Sequence, residues 1–180
     1  MFCYIGKNIK DYPDIANRTL EEGHSIAIHT WSHSLQTLTS SRTLDEETDS
    51  FIKIIKSLPC SSNTDLKLFR PPLGLKTPSI RRLVNSRGFD YAYLTFFVND
   101  AYSKPEDSAR VIHEIKGKIK KYNGAAIVFH ELRYMDGRDR YEIDKSWLPD
   151  AVDELIKWAK SEGFVFTTYK NPNKVVASTD

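Results

Sequence analysis

Short apolar runs alternate with amphipathic stretches along the whole chain. The apolar runs have the length of strands, and they predict strands over residues 2–5, 25–28, 66–69, 91–97, 125–129 and 164–168. Apolar positions at helical spacing predict helices over residues 11–22, 44–58, 77–86, 105–122 and 147–161. This alternation is typical of an α/β fold, in which βα units surround a parallel sheet or form a barrel.

Glycines mark the ends of three predicted helices. Gly23, Gly88 and Gly163 each follow a helical stretch, at the place where a left-handed residue most easily ends a helix. The strand count is slightly short for a closed barrel of eight strands. No internal repeat, linker or low-complexity segment interrupts the pattern, so we expect one domain over residues 1–180.

Composition and charge fit one globular domain. The 180 residues are 40% hydrophobic and 28% charged, and the formal net charge of +2 gives no electrostatic reason to bind nucleic acid or a membrane surface. The basic run of one predicted helix is interpreted as a solvated helix face; it comprises Lys116, Lys118, Lys120 and Lys121. No stretch approaches the roughly 20 apolar residues of a membrane-spanning helix, so we predict no transmembrane segment.

The two cysteines, Cys3 and Cys60, leave the cellular compartment open. Two thiols fit a reduced intracellular chain, and they equally fit a single disulfide in a secreted one. The first residues are typical of a strand and not of a charged leader followed by an apolar segment. Either the protein is not exported, or its natural beginning is missing. In the second case we expect an extracellular or cell-wall location.

Ionisable side chains directly follow three of the predicted strands. His29 and His33 come after the second strand, Arg70 after the third and His130 after the fifth. The carboxyl ends of the strands in βα folds face one common mouth. The sequence therefore predicts that these side chains meet at the same rim.

The spacing of His29 and His33 suits a metal ion. Two histidines four apart lie on one face of a helical turn, from which both imidazoles can reach a single cation such as zinc. Spacing alone is also typical of hydrogen-bonded surface histidines. The position at a strand end, with His130 at another, favours the metal site. His24 and His113 lack this placement, and we assign both to structure.

Arg70 and His130 each have a functional and a structural interpretation. Arg70 is followed by Pro71, Pro72 and, after one residue, Gly74, a rigid segment that would hold the guanidinium in a set direction. A structural ion pair is the alternative. His130 ends an almost wholly apolar run, so its ring would stand at the edge of a buried strand, where its pKa could be tuned. A histidine satisfied within the core is the competing interpretation.

Taken in order, these segments resemble the NodB-homology polysaccharide deacetylases, carbohydrate esterase family 4. Residues 29–33, His-Thr-Trp-Ser-His, match the metal-binding motif H-S/T-x-x-H in full, and residues 70–74, Arg-Pro-Pro-Leu-Gly, match R-P-P-x-G. Residues 127–130, Ile-Val-Phe-His, are similar to the final motif, a histidine after an apolar strand. The resemblance spans nearly the whole chain and implies an α/β fold, the distorted (β/α) barrel of the NodB type.

The resemblance implies metal-dependent removal of acetyl groups from N-acetylglucosamine polymers, which are chitin-like or peptidoglycan-like. His29 and His33 would bind zinc, or another divalent ion such as cobalt, that polarises the acetamide carbonyl and lowers the pKa of its bound water. His130 would protonate the leaving amine, and Arg70 would orient the catalytic base. The implied partner is an N-acetylated polysaccharide or oligosaccharide, and no nucleic acid.

The fourth motif of the family, rich in aspartate and ending in tryptophan, is altered here. Residues 97–102 read Phe-Val-Asn-Asp-Ala-Tyr, so Phe97 stands where an aspartate is expected. Asp100 is the candidate substitute as a catalytic residue, and Tyr102 replaces the tryptophan beside the site. The predicted substrate-binding residues are Trp31, Pro71, Pro72 and Tyr102.

The first motif of the family is a strand with two aspartates, which supply the catalytic base and the third metal ligand. By the resemblance this strand would precede Met1, so we expect the chain to lack the first βα unit and to have impaired activity. Two imidazoles would hold the metal weakly, because a catalytic zinc usually has three protein ligands. An inactive relative with a glycan-binding or structural role is the alternative. We also expect an unpaired strand edge that favours aggregation.

Overall fold

The computed structural model describes residues 1–62, 64–131, 143–167 and 169. These residues form two compact units. The first unit holds the described residues up to Tyr93 together with Tyr169, and the second holds those from Leu94 to Thr167. The single domain expected over residues 1–180 stays a prediction.

The first unit contains a sheet of four parallel strands among the described residues. The strands are β1 Phe2–Tyr4, β2 Ile26–Ile28, β3 Leu68–Phe69 and β4 Asp90–Tyr91, hydrogen-bonded in that order. Phe2 pairs with Ile26, Ile28 with Phe69, and Phe69 with Tyr91. The parallel α/β architecture predicted from the alternation of strands and helices is confirmed.

Seven α-helices connect and follow these strands in the described residues. They are α1 Gly6–Asp11, α2 Pro13–Glu21, α3 Leu35–Thr39, α4 Ser41–Lys56, α5 Pro78–Ser86, α6 Ser108–Tyr122 and α7 Leu148–Ser161. Short 3₁₀ turns lie at Pro59–Ser61, Pro72–Gly74 and Pro105–Asp107. Gly23, Gly88 and Gly163 follow helix ends with φ of 77°, 65° and 85°, which confirms the predicted left-handed positions.

The start of the first predicted helix is wrong. The helix expected over residues 11–22 begins with α2 at Pro13, after α1 has ended at Asp11. Proline disfavours helical backbone at the residue before it, and Tyr12 has φ −133° and ψ 60°. Pro13 itself is tolerated at the first helical position, where its missing N–H would have had no partner.

Two predicted strands and most of a third are irregular in the described residues. Residues 125–129 and 164–167 form no regular strand, and residue 168 lies outside the described residues. Of the strand predicted over residues 91–97, only Tyr91 lies in a strand. The Thr95 N–H donates to the Ala126 carbonyl at 2.8 Å, but the Ala126 N–H donates to the Thr95 hydroxyl at 2.9 Å. The Thr95 hydroxyl thus replaces the backbone carbonyl that a regular strand pair would use, and the strand pairing does not continue. An apolar run predicts burial, whereas a strand also needs a backbone partner.

Each unit has an apolar core of its own. In the first unit the largest buried side chains include Phe51, Phe69, Leu44 and Ile55, which come from α4 and the sheet. Burying a side chain of this size stabilises the fold by about 1.5 to 3 kcal/mol. In the second unit α6 packs against α7, whose Leu148, Leu155 and Ala159 are buried.

The lysines of α6 form the solvated face that the sequence predicted. Lys116 pairs with Glu154 at 2.6 Å, Lys118 with Glu114 at 2.8 Å, and Lys120 with Glu162 at 2.9 Å. These carboxylates neutralise most of the positive charge of the helix. Throughout the residues that the structure describes, no helix combines the length and the apolar character needed to cross a membrane.

Candidate metal-binding and catalytic residues

The two predicted metal-binding histidines lie side by side at the carboxyl end of β2. The rings of His29 and His33 have centroids 4.8 Å apart and planes tilted by 63°. They do not lie on a helical turn, and that part of the prediction is wrong. The backbone instead bends through left-handed residues, with φ of 64° at Thr30 and 59° at His33.

Thr30 anchors this bend. A threonine with positive φ is strained by about 1 to 3 kcal/mol, so neighbouring contacts must hold it there. Its side chain is fully buried, and its hydroxyl accepts the His33 N–H at 3.1 Å. Its carbonyl accepts the Gly6 N–H at 3.0 Å, which ties the bend to the start of α1. These contacts fix the backbone that carries both histidines.

Glu47 of α4 holds the same segment through three hydrogen bonds and makes a fourth to α3. Its Oε2 accepts the N–H groups of Trp31 and Ser32, each at 3.1 Å. Its Oε1 accepts the hydroxyl of Thr37 at 2.8 Å and that of Ser32. Glu47 was not predicted as a functional residue, because it stands in an acidic stretch of an amphipathic helix and nothing local distinguishes it. Only the fold brings its carboxylate under the histidine segment.

Trp31 packs against α1. A Cβ atom added at Gly6 would overlap the six-membered ring of Trp31, so glycine is needed there for close approach and not for an unusual backbone angle. The indole is only partly exposed. Its predicted contact with substrate stays a prediction.

Arg70 connects the end of β3 to His29. Its N–H donates to the Ile28 carbonyl at 2.8 Å, and its own carbonyl lies 2.6 Å from Nδ1 of His29. A carbonyl only accepts, so Nδ1 of His29 is the donor, and in the neutral ring the lone pair lies on Nε2. Metal-binding histidines usually have this arrangement, in which a second hydrogen bond fixes the tautomer.

The guanidinium of Arg70 is held inside the first unit. Its Nη1 donates to the Ala92 carbonyl at 3.1 Å. Burial lowers the pKa of Arg70, although nearby Cys3 and Tyr169 oppose the shift. Burial also raises the pKa of the Cys3 thiol, with Arg70 opposing it. No carboxylate pairs with Arg70 among the described residues, which disfavours the structural ion pair.

The two prolines after Arg70 are buried. Pro71 and Pro72 contribute to the interior at the start of the turn Pro72–Gly74, whereas Leu73 is exposed and has φ of 56°. The segment is therefore rigid, as expected from its sequence. Direct contact of either proline with substrate stays a prediction.

Asp100 and His130 form a close pair in the second unit. The Asp100 carboxylate is fully buried; its Oδ2 accepts the His130 N–H at 2.5 Å, and its Oδ1 lies 2.8 Å from His130 Nδ1. The His130 side chain is 38% exposed. A carboxylate on Nδ1 sets the ring orientation and leaves Nε2 as the other ring nitrogen that can exchange a proton. Asp100 thus contacts the predicted catalytic histidine, while the catalytic roles of both remain predictions.

Two residues near this pair were not predicted as functional. Lys145 donates to the carbonyls of Asp100 and, at 3.2 Å, Ser103. Trp147 is 7% exposed, whereas Tyr102, the proposed replacement for the family's tryptophan, is half exposed. Lys145 lies in a stretch of mixed charge just before α7, so no sequence signal distinguished it.

The available metal ligands are imidazoles. In the part of the chain that the structure describes, no group of three or more His, Cys, Asp or Glu side chains is placed to hold a metal ion. His29 and His33 have the chemistry and proximity that a divalent cation requires, but they supply two ligands where a catalytic zinc usually has three. The common rim predicted for these histidines, Arg70 and His130 stays a prediction.

Both thiols are free in the structure. Cys3 lies in β1 and Cys60 in the turn Pro59–Ser61, and neither forms a disulfide. The pairing that the sequence left open is therefore not present between these two residues.

Comparison with known proteins gives one consistent family. Residues 1–92 match the family model of polysaccharide deacetylase. Chitin deacetylase 1 of Saccharomyces cerevisiae is 32% identical over 130 residues, which cover 66% of this chain and 41% of the yeast protein. The chain spans about half the length of the first curated relatives that it matches.

Solved structures share the fold. A polysaccharide deacetylase from Bacillus cereus aligns with a TM-score of 0.71 and 24% identity, over 94% of this chain and 78% of that chain. A carbohydrate esterase family 4 pseudoenzyme from Bacillus anthracis aligns with a TM-score of 0.61 and 14% identity, over 91% of this chain and 51% of that chain. With its motifs, its parallel α/β fold and the match over residues 1–92, this chain belongs to the polysaccharide deacetylase family.

Proposed function

We propose that this protein is a metal-dependent hydrolase that removes N-acetyl groups from N-acetylglucosamine polymers, cleaving a carbon–nitrogen bond that is not a peptide bond. The proposal rests on one observation. In a chain of the deacetylase family, the rings of His29 and His33 lie 4.8 Å apart, and Arg70 fixes the tautomer of His29. The matching yeast protein is a chitin deacetylase, so chitin-like or peptidoglycan-like polymers are the substrates we propose.

The histidine pair is the metal-binding part of the proposed site. His29 and His33 would hold zinc, or another divalent ion such as cobalt, which supplies Lewis-acid polarisation of the amide carbonyl and lowers the pKa of a water. The hydrogen bond from His29 Nδ1 to the Arg70 carbonyl keeps the ring from rotating. Glu47 and Thr30 hold the backbone, so the two imidazoles are oriented before any cation arrives.

His130 is the proposed proton donor. Its Nδ1 is engaged by Asp100, so proton transfer to the leaving amine nitrogen takes place from Nε2 of the partly exposed ring. The guanidinium of Arg70 is held on the Ala92 carbonyl, and orienting the catalytic base is the role that the family resemblance implies for it. Trp31 and Tyr102 are the aromatic side chains proposed to contact the sugar.

The experiment combines metal analysis with acetate release from acetylated chito-oligosaccharides, with zinc or cobalt added. We expect the purified wild-type protein to bind metal weakly and to release acetate slowly, because the described residues supply two imidazoles where a catalytic zinc usually has three protein ligands. His29→Ala and His33→Ala should lose metal affinity by more than the roughly 10- to 100-fold that changes in outer-sphere partners cause. His24→Ala is the matched control, because His24 lies on the surface of the same unit beside Glu22. Equal metal binding in all four proteins would refute the proposed site.

A second candidate function is that of an inactive relative with a glycan-binding or structural role. Two observations favour it: the described residues supply only an imidazole pair as metal ligands, and the chain shares its fold with a pseudoenzyme. This function predicts binding of acetylated chito-oligosaccharides without acetate release, whichever metal is added. Acetate released by the wild type and lost in His29→Ala would exclude it.

A further inference from the structure

Lys145 binds the backbone of the turn that carries Asp100. Its Nζ donates to the Asp100 carbonyl and to the Ser103 carbonyl, the latter at 3.2 Å. The turn is closed by the Ser103 N–H, which donates to the Asp100 carbonyl at 3.0 Å. Lys145 is distant from these residues in sequence, so its hydrogen bonds connect two separate segments of the second unit.

The surroundings of Lys145 are unusual for a lysine. Burial lowers its pKa, and only the nearby Asp100 carboxylate opposes that shift. Its Nζ also lies 5.5 Å from the centre of the buried Trp147 ring. Placing an ammonium out of water is unfavourable unless partners satisfy it, and here the partners are two carbonyls and an aromatic face. A fully exposed lysine would be solvated by water and would need neither the two carbonyls nor the aromatic ring.

Apart from the two hydrogen bonds between Asp100 and His130, local contacts hold the Asp100 turn. The Asp100 N–H donates to the Val98 carbonyl at 2.9 Å, and the Ser103 hydroxyl donates to the Asn99 carbonyl at 2.9 Å. Both contacts are local and do not set the position of the turn relative to His130. Lys145 supplies a fixed point from outside the turn. Hydrogen bonds weaken steeply as their angles depart from linear, so a small shift of Asp100 would break the pairing.

We infer that Lys145 is a positioning residue that holds the 100–103 turn so that both carboxylate oxygens of Asp100 stay on His130. Its importance for catalysis rests on the proposed function, in which His130 donates the proton. The positioning itself is a property of the fold and can be measured without substrate.

The test is the NMR signal of the His130 imidazole proton on Nδ1. A proton shared with a buried carboxylate exchanges slowly and resonates far downfield, and Asp100→Asn identifies the signal by removing or displacing it. We expect Lys145→Met to broaden the signal beyond detection or move it upfield, and Lys145→Arg, which keeps a cationic donor, to restore it. Lys116→Met is the matched control, because it removes a lysine that pairs with Glu154 in the same unit.

The outcomes separate positioning from mere stabilisation. If Lys145 only stabilises the fold, Lys145→Met lowers the melting temperature but keeps the His130 signal, and the inference is wrong. If Lys145→Met does not fold, as judged by circular dichroism, Lys145→Gln takes its place. Its neutral, shorter side chain cannot reach both carbonyls, so we expect the same loss of signal. An unchanged signal in folded Lys145→Gln overturns the inference equally.

Kinetics distinguish this inference from the proposed function. If the wild type releases acetate, Lys145→Met should lower kcat by about 10- to 100-fold, as expected for a misplaced catalytic group, with little change in KM. A wild type that releases no acetate refutes the proposed function, and the NMR comparison still decides the role of Lys145. A variant that keeps the wild-type kcat while losing the signal contradicts the catalytic part alone.

Discussion

At the scale of single residues, burial shifts the pKa values of two side chains in the first unit, and close packing dictates where a glycine is needed. Cys3 in β1 and Arg70 after β3 are electrostatic neighbours, and burial disfavours the charged form of each. Gly6 is the point where α1 approaches the indole of Trp31. Both features can be tested without any assumption about activity.

The partly buried thiol of Cys3 should react slowly. Its pKa is raised by burial, so at pH 8 a smaller fraction is thiolate, the reactive form. In Cys60→Ser protein we expect Ellman's reagent to modify Cys3 far more slowly in the folded state than in urea. Because the folded-state pKa is raised, the stability from the neutral thiol is present below its ordinary pKa of 9.0 and declines as pH rises above it. Equal rates in folded and unfolded protein would contradict the buried position.

Alanine at two helical glycines should have opposite effects on stability. At Gly6 the new Cβ would overlap the Trp31 ring, and overpacking of this kind destabilises by about 1 to 3 kcal/mol. At Gly117 in α6 no atom lies within 4 Å of the added Cβ, so alanine should stabilise the helix by up to about 1 kcal/mol. Urea unfolding measures both changes. A Gly6→Ala protein as stable as the wild type would show that Trp31 does not pack as described.

At the scale of elements, α4 supports the segment after β2. Its Glu47 accepts hydrogen bonds from the N–H groups of Trp31 and Ser32. The neighbouring Glu46 pairs with the exposed Arg42 at 2.9 Å. The two glutamates are adjacent in one helix, but only Glu47 is directed at the histidine segment. They form a natural pair for comparison.

Glu47→Ala should destabilise the protein, and Glu46→Ala should not. The first change leaves the N–H groups of Trp31 and Ser32 without their acceptor, which costs about 1 to 3 kcal/mol, whereas an exposed pair contributes about 1 kcal/mol or less. Urea unfolding gives the two values. If the proposed metal site is correct, zinc affinity measured by chelator competition should also fall in Glu47→Ala. Similar stability of the two variants would refute the supporting role of Glu47.

At the scale of the whole molecule, the surface offers backbone and apolar groups for association. Within the described residues β1 pairs with β2 alone, so its other edge has no strand partner there. Edges of this kind template pairing with other chains. Val165 is 87% exposed, so its side chain offers an apolar group for association that is separate from the strand edge.

We expect the protein to associate as its concentration rises, through the β1 edge. Phe2→Lys places a charge on that strand and should shift sedimentation towards the monomer, provided that its melting temperature stays near that of the wild type. Val165→Lys is the matched control on the other apolar surface. Relief of association by Val165→Lys alone would assign it to that surface, and a monodisperse wild type at all concentrations would contradict the expectation.

Much of the architecture was predictable because it depends on local pattern. Apolar runs located β1 to β3 and met β4 only at Tyr91, and glycines located three helix ends, since burial and left-handed backbone each need particular residue types. Pro13 shows the limit of apolar spacing, because periodicity extended the helix across a residue that breaks it. Residues 125–129 show another limit, because their apolar run has no ladder partner in the structure.

The sequence by itself determined the family and the identity of the candidate residues, because short motifs such as residues 29–33 and 70–74 carry their chemistry in the residue types. Tertiary structure alone decided how those residues are held. The left-handed bend at Thr30 and His33, the carboxylate of Glu47 beneath it, and the ammonium of Lys145 on the Asp100 turn all join residues far apart in the chain or strain the backbone locally. Such contacts depend on distance and direction in three dimensions, and no spacing along one chain specifies them.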